Sequence, residues 1–320
     1  MPRILFMGTP DFAKESLEAL YNAGYEIIGV VTNPDKPKGR GMKLEVSPVK
    51  EFATQKNLKI FQPLKVRNNP EFIQEVKDLS PDITCVVAYG KILPKELLDI
   101  APLGSINVHG SLLPKYRGAA PIQWAVINGD KKTGITTMYM DEGMDTGDMI
   151  LKKEVDIGED ETTGELWQRL SKIGAETLVE TIKLILNREA PRQKQPDDFT
   201  MAPMLNKEMA KIDWNSKKTL EIKNLVRGLN PIMGAYTFLG EKKIKIWKVQ
   251  AIANKDFSIN VEINGKQNGE VIYADDKLGL FIKTNDGIIS VLEIQGENSK
   301  KMDIRDYLRG NKIEVGTILN

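Results

Sequence analysis

The sequence predicts a two-domain α/β protein, with a mostly parallel sheet in its first half and a small β-barrel or sandwich in its second. Three observations support this fold class. Strand-like apolar runs alternate with helical patterns before residue 190, a stretch of low periodicity with three prolines covers 190–205, and short β-rich runs fill the rest. Because 320 residues are long for one hydrophobic core, two domains are expected. We place them at 1–189 and 206–320, joined by a linker at 190–205.

The first half follows a strand–helix alternation. Apolar runs of strand length are RILFMG, YEIIGVVTN, KIFQP, DITCVVAYG and SINVHG, and apolar residues recur at helical spacing in DFAKESLEALYNAG, SPVKEFATQKN and NPEFIQEVKDLSP. Such alternation indicates βαβ units and therefore a mostly parallel sheet. The segment GITTMYMDEGMDTGDMILKKEVDI then predicts two strands joined by a turn at an antiparallel edge. A long amphipathic helix, TTGELWQRLSKIGAETLVETIKLILNRE, closes this half, with a break expected near Gly174.

The second half reads as one helix and several closely spaced strands. SKKTLEIKNLVRGLN has helical periodicity, and the strands are AYTFLG, KIKIWKVQAI, GEVIYAD, GLFIKTN and GIISVLEIQ. Residues 207–320 carry 19 Lys and Arg against 15 Asp and Glu. This modest positive excess permits a polyanionic partner without requiring one.

Composition excludes several protein classes. Apolar residues at 41% and charged residues at 28% are typical of a globular protein, not of a disordered or fibrous one. The lone Cys85, which we expect to be a buried and inert strand residue, forms no intrachain disulfide, and one His with one Cys does not make a usual zinc site. No apolar run approaches a membrane span of roughly 18 residues, and RILFMGTP reads as a strand and turn, not as a signal peptide. We therefore expect a cytoplasmic protein with no metal and no membrane partner.

The turn after the first strand does not predict a nucleotide cofactor. Gly8 is followed by Thr9 and Pro10, so the G-x-G-x-x-G fingerprint is absent, and GRG at 39–41 lacks the end of a phosphate-binding loop. Asp11, a candidate helix N-cap, would also repel a pyrophosphate. Nicotinamide and ATP are not expected.

The only histidine of the chain lies where a parallel sheet places its sites. His109 ends the strand SINVHG, and Asn107 shares its face because alternate residues of a strand point to the same side. An amide donor beside an imidazole can stabilise a developing oxyanion. The Gly-rich segment MDEGMDTGDM supplies carboxylates that could orient the imidazole or move a proton, namely Asp141, Glu142, Asp145 and Asp148. Spacing alone leads to a transferase- or hydrolase-like acyl site, and structural roles for these residues stay open.

Nucleophilic catalysis by Ser111 is a weaker interpretation. GSLLP is not the G-x-S-x-G nucleophile elbow, and a single histidine does not serve both a serine and an oxyanion.

Long stretches of the chain resemble the folate-dependent formyltransferases. In the first half these are RILFMGTPDFA, NPDKPKGRGMKLEVSPVK, VVAYGKILPKELL, GSINVHGSLLPKYRGAAPIQWAVINGD and MDEGMDTGDM, and in the second half KIDWN and RGLNPIMGAYT. The resemblance spans nearly the whole chain. It implies a Rossmann-like catalytic domain followed by an OB-like barrel, with 10-formyltetrahydrofolate as formyl donor and the α-amino group of initiator methionyl-tRNA as acceptor.

The resemblance also implies roles for individual residues. Asn107, His109 and Asp145 match the family's catalytic trio, and residues 111–114 match the segment that lines its folate site, namely Ser111, Leu112, Leu113 and Pro114. Asn107 and a protonated His109 are expected to stabilise the oxyanion, while Asp145 holds His109 and assists proton transfer to the departing folate nitrogen. No metal and no covalent intermediate with the enzyme are needed, and a monomer is expected.

Two basic segments are candidates for tRNA contacts. The first is a Gly-containing arm with Lys36, Lys38, Arg40 and Lys43, which we expect to enter the acceptor end of the tRNA. The second is EKKIKIWK in the barrel, with Lys242, Lys243, Lys245 and Lys248. Without the resemblance a solvated surface loop is the default interpretation of the arm, and alternating charge on a strand is equally typical of its solvent face.

One departure from the family pattern concerns the second domain. NPIMGA stands where the family usually has NPWPGA, so Ile232 and Met233 replace an aromatic residue and a proline.

Three alternative functions stay open: transfer to another amine such as a sugar nucleotide or glycinamide ribonucleotide, hydrolysis of formyl-folate, and non-catalytic RNA binding.

Overall fold

The structure is a computed structural model that describes residues 1–38, 43–259 and 261–320. It divides into two compact units. The first comprises residues 1–121, 132–156 and 167–203, and the second comprises 122–131, 157–166 and 204–320. The division into a catalytic domain at 1–189 and a tRNA-contacting domain at 206–320 is a statement about function and stays a prediction.

The first unit is built on a seven-stranded sheet. In chain order its segments are β1 (Arg3–Gly8), β2 (Glu26–Val31), the separate hairpin of β3 (Lys36–Lys38) and β4 (Lys43–Glu45), then β5 (Ile60–Phe61), β6 (Ile83–Val87), β7 (Ser105–His109), β8 (Lys132–Tyr139) and β9 (Met149–Asp156). The sheet order is β5-β2-β1-β6-β7-β8-β9. The first five strands are parallel and the last two antiparallel, which confirms the mostly parallel sheet with an antiparallel edge.

The helices of the first half are α1 (Asp11–Asn22), α2 (Pro48–Gln55), α3 (Pro70–Leu79), α4 (Lys95–Leu98), α5 (Pro121–Ile127) and α6 (Thr163–Leu186). Helices α2 and α3 begin with proline after a capping side chain: Ser47 Oγ and Asn69 Oδ1 each accept a hydrogen bond from a first-turn amide. The expected N-cap at Asp11 is wrong by one position. Pro10 is the N-cap, and Asp11 is the first helical residue, with its Oδ1 accepting from Phe12 N.

The expected break of the long helix near Gly174 is also wrong, because α6 is continuous. A Cβ atom at Gly174 would lie 3.1 Å from Val108 Cγ1 and 3.6 Å from Phe12 Cζ. The glycine therefore permits close packing on β7 instead of ending the helix.

The centre of the first sheet is buried. All five residues of β6 are buried, including Cys85, which is fully buried as predicted. Burial raises the pKa of its thiol, so Cys85 is uncharged and unreactive. None of the helices that the structure describes combines the length and the hydrophobicity that a membrane span requires.

The second unit contains an antiparallel sheet and helix α7 (Thr219–Gly228). Its strands are β10 (Ala235–Leu239), β11 (Lys242–Ala253), β12 (Val271–Asp275), β13 (Gly279–Lys283), β14 (Gly287–Gln295) and β15 (Met302–Asp303), followed by helix α8 (Ile304–Gly310). The main path is β10-β11-β14-β13-β12, with β15 on β14. Inward side chains of the strands, such as Ile244, Ile246 and Val291, form one core with Ile222 and Val226 of α7.

Residues 316–320, named here the closing segment, join the two free edges of this sheet. Phe238 of β10 exchanges two backbone hydrogen bonds with Asn320, at 2.8 and 3.1 Å. On the other side, Val271 of β12 donates to the Thr317 carbonyl at 2.8 Å and accepts from Gly316 at 2.8 Å. The sheet is thereby closed into the small barrel that the short strands predicted.

Candidate active site

His109 lies at the carboxyl end of β7, in the interior of the first unit. The strand is paired with β6 on one side and β8 on the other, and His109 stands opposite Thr136. Only 5% of the residue is exposed. Its backbone is therefore fixed by the sheet, and its ring is surrounded by protein.

The orientation of the imidazole is set by a backbone carbonyl. His109 Nε2 lies 2.8 Å from the carbonyl oxygen of Tyr116. A carbonyl only accepts hydrogen bonds, so Nε2 carries a proton and donates it. Nδ1 is consequently the ring atom available for chemistry, either as a lone pair or, in the imidazolium, as a second donor.

Asp145 faces Nδ1. Its Oδ2 lies 3.6 Å from His109 Nδ1, and the two side chains are 17% and 6% exposed. The same Oδ2 accepts a hydrogen bond of 2.8 Å from Gly118 N. A carboxylate so placed can stabilise positive charge that forms on the ring during a reaction, and Coulomb attraction between largely buried groups is stronger than in water.

The loop that carries Asp145 starts at the opposite end of β7. Strand β8 is antiparallel to β7, so Met140 N donates to Ser105 O at 2.7 Å where the loop begins. Asp145 nevertheless meets His109, with a left-handed backbone at φ 55°. The structure thus brings two of the three predicted catalytic residues together across 36 positions of sequence.

Asn107 is the third predicted residue. It is half-buried in the middle of β7, paired with Val86 and Met138, on the face that His109 shares. In the part of the chain that the structure describes, its carboxamide makes no hydrogen bond to protein. Its N–H donors are therefore available to a bound oxygen atom.

The predicted folate segment is partly occupied by internal contacts. Ser111 is fully buried, with Oγ donating to Lys115 O at 2.6 Å, and Leu113 is 1% exposed against Met138 and Met149. Leu112 and Pro114 are half-buried. Thr136 Oγ1 holds the segment, since it donates to Ser111 O and accepts from Leu113 N. The folate assignment of these four residues stays a prediction.

The base of the basic arm is anchored by a polar cluster. Asp35 accepts from Lys50 Nζ at 2.5 Å and from Gln62 Nε2 at 3.0 Å, and the Lys50 hydrogen bond, followed by that of Gln62, lowers the pKa of the Asp35 carboxyl. The backbone of Lys36, Lys38 and Lys43 forms the β3–β4 hairpin. Arg40 lies outside the described residues.

The four lysines predicted on β11 do not form one surface. Lys243 lies over the Tyr236 ring, 3.5 Å from its centroid, and Lys245 donates to Met233 O at 2.8 Å. Lys242 is exposed at the start of the strand. Lys248 lies near Asp160 and Glu165, and it contributes to the lowered pKa of both carboxyls, after their hydrogen bonds to Lys223 and Thr162 respectively. Its charge is already partly balanced.

Several residues that support the site were missed by sequence reasoning. Tyr116 accepts from His109, Gly118 donates to Asp145, and Thr200 Oγ1 accepts from Tyr116 N at 2.9 Å. Gln195 donates to backbone carbonyls of the Asp145 loop. The Gly and Pro residues of the 110–118 turn marked that turn, but nothing in the 190–205 stretch indicated contact with a site.

Other groups near the sheet edge have shifted ionisation. Burial raises the pKa of Tyr89 to about 12, so its hydroxyl is neutral at physiological pH. Burial also raises the pKa of Tyr139, although Arg192 stacked over its ring opposes the shift. Within the described residues, no three His, Cys, Asp or Glu side chains gather in a way that could hold a metal ion.

Two family models match the chain. The model described as "Formyl transferase" covers residues 2–182, and that described as "Formyl transferase, C-terminal domain" covers 204–312.

Curated relatives align over nearly the full length. A methionyl-tRNA formyltransferase of Ruminiclostridium cellulolyticum is 50% identical over 317 residues, which is 98% of each chain. One from Clostridioides difficile is 51% identical over 318 residues, 99% of each.

Solved structures share the fold at low identity. An N-formyltransferase from Helicobacter canadensis, in complex with folinic acid and dTDP-3-aminofucose, superposes with a TM-score of 0.65 at 19% identity, over 91% of this chain and 99% of that one. HypX from Aquifex aeolicus, in complex with tetrahydrofolic acid, gives 0.62 at 16% identity, over 99% of this chain and 50% of its own.

Proposed function

Because this chain belongs to the formyl transferase family, we propose that it transfers a formyl group from 10-formyltetrahydrofolate to the α-amino group of initiator methionyl-tRNA. Relatives named methionyl-tRNA formyltransferase align over almost all of the chain at about 50% sequence identity. The observation that carries the proposal is local: Asp145 Oδ2 lies 3.6 Å from the imidazole of His109, and Asn107, two positions earlier on the same strand, has a carboxamide without a hydrogen-bond partner among the described residues. That arrangement suits an acyl transfer that passes through an oxyanion.

The residues present fit a folate-bound formyl group. The donor supplies an electrophilic formyl carbon attached to nitrogen N10. When the amine attacks, a new C–N bond forms and the formyl oxygen gains negative charge. Asn107 then donates to that oxygen through its unengaged carboxamide, and His109 contributes through Nδ1–H, because Nε2 is held by Tyr116.

Proton transfer is the second task of the site. The attacking nitrogen becomes cationic and must lose a proton, while N10 must gain one as its bond to the formyl carbon breaks. Asp145 stabilises the imidazolium that His109 forms. Together, Asp145 and His109 relay the proton from the attacking nitrogen to N10. A free α-amino group titrates near roughly 8, so no strong base is needed to produce the attacking amine.

Positive charge supports recognition of the tRNA. In this proposal the arm of residues 36–43 contacts the acceptor end, and β11 of the barrel contacts the backbone through its lysines. Lys242 and Lys243 are better suited than Lys248, whose charge faces carboxylates. We further propose that the protein acts as a monomer in the cytoplasm.

The testing experiment is formyl transfer to charged methionyl-tRNA, with uncharged tRNA and free methionine as control acceptors. Formylation of the charged tRNA alone is expected. Consumption of formyl-folate without formyl-methionyl product would support the hydrolase or another amine acceptor instead.

A variant separates chemistry from binding. His109→Ala is expected to abolish transfer while tRNA affinity stays near that of the wild type, since His109 is buried and belongs to neither of the basic segments proposed to contact tRNA. Unchanged turnover would remove His109 from the mechanism.

A further inference from the structure

We propose that Gln195 is a positioning residue of the active site, which holds the Asp145 loop against His109. This inference rests on the proposed function for its effect on turnover, whereas its structural part stands alone. Gln195 lies in the 190–205 stretch that the sequence suggested to be a linker, and it belongs to the first compact unit.

Both the nitrogen and the oxygen of the Gln195 side-chain amide form hydrogen bonds. Nε2 donates to the carbonyl oxygens of Asp145 at 2.7 Å and Gly147 at 2.9 Å, and Oε1 accepts from Arg117 Nε at 2.9 Å. Carbonyls only accept and a guanidinium only donates, so a flipped amide would lose all three hydrogen bonds. The orientation of Gln195 is therefore fixed by its partners.

The Asp145 loop needs such a support. Asp145 has a left-handed backbone at φ 55°, a conformation that residues other than glycine rarely adopt. Its carboxylate accepts a hydrogen bond from Gly118 N, and its backbone carbonyl accepts one from Gln195 Nε2. The two contacts hold the residue from both its side chain and its main chain.

Arg117, which orients Gln195, is itself immobilised. It is 8% exposed, and its guanidinium lies 4.5 Å from the centroid of the Phe199 ring. Its backbone pairs with the same stretch, donating to Thr200 O at 2.9 Å and accepting from Ala202 N at 2.7 Å.

The stretch from 195 to 202 thus fixes both neighbours of the imidazole. Gln195 holds Asp145 on the Nδ1 side, while Thr200 Oγ1 accepts from the backbone of Tyr116, whose carbonyl binds Nε2. A displacement of Gln195 is expected to move Asp145 away from its 3.6 Å approach to His109.

The test is Gln195→Met, which keeps the side-chain length and removes the amide. The chain has one histidine, so its Cε1–H gives a single NMR signal that reports the surroundings of His109. We expect Gln195→Met to move this signal in the same direction as Asp145→Asn does. In the formylation assay kcat should fall about tenfold to a hundredfold, with the KM of either substrate little changed.

Gln193→Met is the matched control. Its side chain is exposed, and among the described residues its backbone pairs with Met149 while its side chain has no hydrogen bond. The control should leave the imidazole signal and kcat as in the wild type. Should Gln195→Met fail to fold, Gln195→Asn keeps the amide but shortens its reach, and the same shift is expected.

The outcomes separate the two proposals. An imidazole signal and a kcat that both match the wild type would overturn the positioning role. A signal that moves as expected while no protein, including the wild type, transfers formyl would reject the proposed function and retain the positioning role.

Discussion

Replacing Asp145 by asparagine tests the electrostatic role of its carboxylate. The amide keeps the size of the side chain and an oxygen that can accept from Gly118 N, so the loop geometry is expected to persist. What is lost is the negative charge 3.6 Å from His109 Nδ1. The change therefore isolates the attraction between the carboxylate and an imidazolium.

The magnitude follows from that distance. Two opposite unit charges at this separation attract by about 1 kcal/mol in water and by about 5 kcal/mol at an effective dielectric constant of 20. Since 1.36 kcal/mol corresponds to a factor of ten in rate, the range is roughly tenfold to a few thousandfold. Both side chains are largely buried, so we expect a loss in kcat of about 10²–10³-fold.

Single-turnover formyl transfer with saturating donor and charged tRNA measures this step directly. Asp148→Asn is the control, because it makes the same charge change in the same loop, where the carboxylate lies 3.9 Å from Arg192. The control should retain wild-type turnover. If Asp145→Asn also retains it, the carboxylate does not stabilise a charged imidazole in the transition state.

Three further outcomes are expected. The hydrogen bonds from Thr219 lower the pKa of Asp286, so its contribution to stability is present above the unfolded value near roughly 4 and is lost as pH falls through the lowered folded value. Urea unfolding should show Asp286→Ala about 1 kcal/mol less stable at neutral pH, with the difference shrinking in acid. Trp214→Phe removes the indole N–H that donates to the buried hydroxyl of Thr237. Urea denaturation should show a loss of about 1–3 kcal/mol in the free energy of unfolding. Titrations of tRNA binding against salt should lose about one unit of slope for Lys242→Ala and less for Lys248→Ala, and equal effects would contradict the charge balance described for Lys248.

The sheet and its edge were predictable because each strand carries its own signal. DITCVVAYG is mostly apolar, as is typical of a strand buried on both faces, and its residues Ile83–Val87 form the fully buried β6. The continuity of α6 through Gly174 could not be predicted. A glycine that ends a helix and a glycine that allows a neighbouring strand to pack closely look alike in sequence. Only the position of Val108 distinguishes them.

The candidate site was predictable in part. The spacing of Asn107 and His109 places both on one face of a strand, so their proximity follows from strand geometry alone. The contact of Asp145 with His109 does not, because its loop begins at the far end of β7. Gln195 lies 50 positions from Asp145 in a stretch without periodicity, and no local pattern indicates where its amide points.

The closing segment has a consequence for synthesis. The edge of β10 at Phe238 and Leu239 and the edge of β12 at Val271 stay open until residues 316–320 are available, because the same five residues pair with both strands. During translation the first unit has all its residues earlier, since it ends at residue 203. Until then the second unit has two strand edges with unpaired backbone groups, which are prone to pairing with other chains. Chains truncated just before residue 316 should therefore aggregate more readily than the full-length chain.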